Sequence, residues 1–119
     1  MPTEMNARNE SPFVCDMTAL EPAQREQHAV TSRQLFQAVQ EVQELPDGYA
    51  FRLPNDSTML LLAAGFVAYE RLCCPFFGFG LKLEPDGGPL WLRLTGRAGV
   101  KTFIRAELGD HLIDKLPHH

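Results

Sequence analysis

Cys73-Cys74-Pro75-Phe76-Phe77-Gly78-Phe79-Gly80-Leu81-Lys82-Leu83-Glu84 runs through Pro85-Asp86-Gly87-Gly88-Pro89 into Leu90-Trp91-Leu92-Arg93-Leu94-Thr95. Proline disfavours helical geometry in the residue before it, so Pro75 ends the apolar helix upstream. Beyond it the apolar period drops from about 3.6 residues to about 2. Phe77, Phe79, Leu81 and Leu83 face one way, and Leu90, Leu92 and Leu94 match them across a turn rich in proline and glycine. This hairpin is the clearest in the chain. Its other face carries Gly78, Gly80, Lys82, Trp91 and Arg93, with Trp91 expected to lie over the two glycines.

Working outward, residues 58–74 read as a helix capped by Asp56 or Ser57. It is apolar nearly all round, so it is expected to be the central, most buried helix. Upstream of it, Leu45-Pro46-Asp47-Gly48 marks a turn, and Tyr49, Phe51 and Leu53 alternate with Ala50 and Arg52 as a strand. Pro22 opens a first helix expected to run to about residue 44, with Leu35, Ala38, Val39 and Val42 as its stripe and His28, Thr31 and Ser32 on the same line. Residues 12–16 read as a short first strand. Downstream, residues 96–99 turn into a last helix that faces Val100, Phe103, Ile104 and Leu108 inward and stops at Gly109.

The resulting order is βαβαββα, an α+β two-layer sandwich of about four strands with helices on one face. The connections through the first two helices predict parallel strand pairs. Residues 1–11 and 110–119 read as tails around a single domain at 12–109.

The 119 residues are 45% hydrophobic and 22% charged, which supports a folded core and excludes a disordered chain. The net charge of −4 and the lack of a Lys/Arg block argue against nucleic acid or an anionic membrane as partner. Residues 1–11 have no apolar signal region, and the run at 59–69 is too short to span a bilayer, so a cytoplasmic location is expected. In a reducing compartment, cysteine pairs read as metal or redox sites before structural disulfides.

Candidate chemistry centres on Cys15, Cys73 and Cys74. Thiolates are soft ligands that select Cu(I), Zn(II), Hg(II) or As(III) over Mg(II) and Ca(II). Three thiolates suit Cu(I), Hg(II) and As(III), whereas structural zinc takes a fourth ligand, for which His28 is a candidate and Met17 a soft alternative. No organic cofactor is expected. Glu70 lies three and four residues before the pair, on the same helix face, and Asp16 follows Cys15. Either carboxylate is a candidate for moving a thiol proton or orienting a ligand. The pair sits at a helix C-terminus, where the dipole disfavours thiolate unless an ion or Arg71 compensates. The bland alternatives are buried, inert cysteines, a solvated Glu70 and a turn-forming Asp16. His111, His118 and His119 read as solvated tail residues whose metal affinity can mislead a binding assay.

Glu70-Arg71-Leu72-Cys73-Cys74-Pro75-Phe76, the run Gly87 through Gly96, Leu45-Pro46-Asp47-Gly48-Tyr49 and the early Cys15 resemble a family of small, uncharacterised bacterial proteins. That resemblance implies a cytosolic bacterial setting and three cysteines acting as a set. A local similarity to organomercurial lyases, which pair a lone cysteine with a later Cys-Cys in an aromatic run, implies Cys15 and Cys73 as mercury ligands and Asp16 as proton donor. This sequence departs from that pattern in having Asp16 adjacent to Cys15 and no histidine soon after the pair.

Three readings follow. The leading one is thiol-based binding of a soft metal ion for sequestration, sensing or handover. The second is a thiol-dependent enzyme acting on an organometallic or other soft electrophile, with Cys15 or Cys73 as nucleophile and Asp16 or Glu70 moving the proton. The third is an interaction module, a homodimer through the Trp91 face, with inert buried cysteines.

Overall fold

The computed structural model describes residues 12–109. They form α1 (Pro22–Gln37), β1 (Glu41–Leu45), β2 (Gly48–Leu53), α2 (Ser57–Cys73), β3 (Gly78–Leu83), β4 (Leu90–Thr95) and α3 (Val100–Leu108), preceded by a single 3-10 turn at Met17–Ala19. The fold is α+β, with a four-stranded sheet in the order β1-β2-β4-β3. No helix of the described residues is long and apolar enough to cross a membrane.

Local chemistry explains the helix boundaries. Pro22 takes the first turn of α1, and Glu21 and Gln24 satisfy each other's exposed backbone N–H groups in a capping box. The Asp56 carboxylate accepts the Met59 N–H at 2.8 Å and caps α2. Pro75 stops α2 as expected, and Gly99 and Gly109 bracket α3 at φ +100° and +81°.

Several elements differ from the sequence reading. The first helix ends at Gln37, and residues 41–45 become the edge strand β1. Val42 is buried on either reading, so helical and strand periods agreed there. The tight turn at Pro46-Asp47 favours the strand, because it lets Glu41–Leu45 fold back on β2 with Val42 opposite Phe51. Residues 12–16 are not a strand. Among the described residues their backbone bond to another element runs to a helix end, from the Asp16 N–H to the Cys73 carbonyl at 2.8 Å, and the Asp16 side chain caps the following turn. The predicted parallel pairs are also corrected, since all three pairings are antiparallel. β4 inserts between β2 and β3, so the chain segment containing α2 links strands that are not neighbours.

The core lies between the sheet and the helices, as predicted. Tyr49, Phe51 and Leu53 of β2 and Leu90, Leu92 and Leu94 of β4 pack with Leu35, Ala63, Phe66, Val100 and Ile104. Gly48 permits the β2–β4 approach, because a Cβ there would fall 1.9 Å from the Leu94 carbonyl oxygen. α2 is less enclosed than its composition suggests, with Leu61 72% exposed. β3 is an edge strand, so Leu81 and Leu83 stay partly open although they pair with Leu92 and Leu90 as expected. Trp91 faces away from the helices but does not cover the glycines. Its register partners are Arg52 and Lys82, while Gly80 lies opposite Arg93.

Candidate thiol and histidine site

The three cysteines meet, but not as three thiols. Cys15 and Cys74 are joined by a disulfide with Cα atoms 4.7 Å apart, closing a sequence separation of 59. Cys73 is the free cysteine and is fully buried. With Cys15 and Cys74 bonded to each other, the expected set of Cys15, Cys73 and Cys74 offers one free thiol in this state. The expectation that the adjacent residues would not bridge each other holds.

The end of α2 explains this division. Cys73 is the last helical residue and keeps its side chain on the face shared with Glu70. Cys74 leaves the helix with φ −125° and ψ 69°, which releases its side chain from that line toward the N-terminal segment. That segment is held by the Asp16–Cys73 backbone bond and by Phe13, whose ring packs edge-on against Phe76 at 5.3 Å. The two sulfurs of the adjacent pair remain 3.9 Å apart.

On the other side of Cys73 lies a second polar group. His28 Nε2 of α1 donates to Glu70 Oε1 of α2 at 2.7 Å. The same carboxylate oxygen is 3.7 Å from Cys73 Sγ. A ligand atom from each of His28, Glu70 and Cys73 falls within 4.8 Å of the others. The imidazole is 4% exposed and stacks on Phe66 with ring centres 5.5 Å apart. His28 Nδ1 is buried with no partner among the described residues. Burial pushes the Cys73 thiol up to about 11, and the neighbouring Glu70 carboxylate adds to the rise by repelling a thiolate. In this state Cys73 is a protonated thiol and a poor free nucleophile at neutral pH.

The other candidates fall as follows. Glu70 stands beside Cys73, and His28 reaches the same cluster through its bond to Glu70. The Asp16 carboxylate is exposed and occupied by Thr18, whose hydroxyl and backbone N–H hold its pKa below the usual carboxylate value. The contact of Asp16 with the end of α2 is made by its backbone N–H, which donates to the Cys73 carbonyl. Arg71 is exposed, and Met17 is 39% exposed in the 3-10 turn. His111, His118 and His119 lie outside the described residues.

Sequence reasoning missed the aromatic setting. Phe36, Phe66, Phe77 and Phe103 come from three helices or their flanks and line one small cleft with Cys15 and Glu70. Phe76-Phe77 beside the cysteines was the visible signal. The partners from α1 and α3 needed the packing of the helices.

Comparison with known proteins returns no match to a family model, to a curated protein or to a solved structure.

Proposed function

We propose that the protein binds a thiophilic metal ion through Cys73, His28 and Glu70, with the Cys15–Cys74 disulfide setting how many thiolates are on offer. The observation that carries this reading is the cluster itself: sulfur, imidazole nitrogen and carboxylate oxygen within 4.8 Å of one another at the junction of two helices. One sulfur, one nitrogen and one oxygen form a borderline-soft set that suits Zn(II) with one position left open. An ion entering here takes the place of the proton shared by His28 and Glu70 and of the thiol proton of Cys73. Reduction of the disulfide adds the Cys74 thiol, 3.9 Å from Cys73 Sγ, and the Cys15 thiol beside it. That softer set suits Cu(I), Hg(II) or As(III). The disulfide state thus selects between two classes of ion.

The test is native mass spectrometry of oxidised and reduced protein offered Zn(II), Cu(I) or Hg(II) against a competing chelator. One ion per chain is expected, lost in Cys73→Ala and in His28→Ala. An ion count unchanged in Cys73→Ala would assign binding to other residues, such as the tail histidines, and end this reading.

A further inference from the structure

In the oxidised chain the cluster takes no ligand from the two disulfide sulfurs, and the aromatic cleft beside them shares only Glu70 with it. The cleft has a volume of about 140 Å³. That is close to the roughly 150 Å³ of an engineered apolar cavity that holds one benzene molecule. Its walls include four phenylalanine rings, with Phe36 and Phe66 edge-to-face at 5.4 Å and Phe77 and Phe103 at 5.8 Å. Ser32, one turn beyond His28 on α1, is the small residue in the lining. The two halves of the disulfide meet the cleft differently. Cys15 lines it and is half-buried, whereas Cys74 is 0% exposed and does not line it. The remaining polar lining, Glu70 and Glu107, is carboxylate.

We propose that this cleft is a thiol–disulfide exchange site for a small neutral thiol bearing an aromatic or similarly apolar group. The ring occupies the cleft, and the ligand thiolate attacks Sγ of Cys15. A new S–S bond forms between ligand and Cys15 as the Cys15–Cys74 bond breaks. The electron pair of the broken bond goes to Cys74, which takes up the proton released by the ligand thiol. The sum is R–SH plus the protein disulfide giving a mixed disulfide on Cys15 and a free Cys74 thiol, with electrons and protons balanced. A second thiol molecule attacking the ligand sulfur releases R–S–S–R and leaves Cys15 reduced. The two carboxylates disfavour a thiol whose remaining group carries a negative charge of its own. Attack is directed at Cys15 because Cys74 is enclosed behind it.

This activity goes beyond metal binding and does not depend on it, so it is assayed on metal-free oxidised protein in chelator. Benzyl mercaptan is compared with 2-mercaptoethanol by intact mass and by alkylation mapping, in which Cys15 and the Cys73–Cys74 pair fall on different peptides. Burying the ring predicts disulfide opening by benzyl mercaptan about tenfold faster or more, with the first adduct on Cys15. Ser32→Phe fills the cleft and is expected to bring benzyl mercaptan down to the 2-mercaptoethanol rate, its folding checked by circular dichroism. Equal rates for the two thiols on the wild-type chain would overturn the proposal. So would a first adduct on the Cys73–Cys74 peptide, and neither result requires the variant to fold. Loss of metal binding in the native-mass experiment would leave this outcome unaffected, and the converse also holds.

Discussion

Opening the Cys15–Cys74 bond is the perturbation whose size the structure sets most directly. The bond spans a sequence separation of 59. For a loop of that length the chain-entropy relation gives about 4 kcal/mol of stabilisation, through the conformations denied to the unfolded chain. A domain of this size is commonly stable by only about 5–15 kcal/mol, so the bond is a large share of the total. Without it, residues 12–20 are still held by the Asp16–Cys73 backbone bond, by Phe13 between Phe76 and Arg97, and by buried Leu20. The native fold is therefore expected to survive reduction at lower stability. Urea unfolding of oxidised wild type, reduced wild type and the Cys15→Ala/Cys74→Ala variant separates the causes. The reduced chain loses the cross-link alone, and the double variant adds the packing loss at buried Cys74. A drop of about 3–4 kcal/mol is expected on reduction, which shifts the midpoint by roughly 2 M at a usual urea slope. A drop under about 1 kcal/mol, with mass spectrometry confirming the reduced state, would refute the reasoning. It would mean that the N-terminal segment is confined in the unfolded chain by something other than this bond.

Two further predictions concern the cluster. The Cys73 thiol is raised from 9.0 to about 11 by burial and by Glu70, so the folded chain holds its proton more tightly than the unfolded chain. Its contribution is fully present below pH 9.0 and is lost as pH rises toward 11. Wild type should lose about 1.4 kcal/mol more than Cys73→Ala between about pH 8 and about pH 10, and equal losses would contradict the raised value. Glu70→Ala removes the partner of an imidazole whose other nitrogen has none among the described residues, and should cost about 1–3 kcal/mol. Glu70→Gln keeps an acceptor and should cost less, so similar urea midpoints for the two variants would argue that the His28–Glu70 bond contributes little.

The sequence by itself determined the local events at this site. Pro75 ended α2 because of its ring, the Asp56 carboxylate capped that helix because it can accept an N–H, and alternation through residues 77–83 and 90–94 on either side of a Pro/Gly turn set a hairpin. The α+β class and helices on one face followed from those signals, and so did three of the four strands, the fourth having been read at residues 12–16 instead of Glu41–Leu45. The identities of Cys73, Cys74, Cys15, His28 and Glu70 as candidates were also legible, since few residue types bind soft ions or move protons.

Which of them act together was decided only by tertiary structure. Residues 38–45 satisfy a helical stripe and a strand equally well, and the pairing of Val42 with Phe51 across a tight turn chose between them. Parallel pairing was the expectation for strands joined by helices, until β4 took the place between β2 and β3. Adjacent cysteines look equivalent in a sequence. At the end of a helix they are not, because one keeps the helical direction toward Glu70 and His28 while the next leaves it and reaches Cys15. A difference of one residue in backbone dihedral angle thus separates a buried thiol from a disulfide. That choice depends on where the N-terminal segment lies against the helix end, a long-range contact that local sequence pattern does not encode.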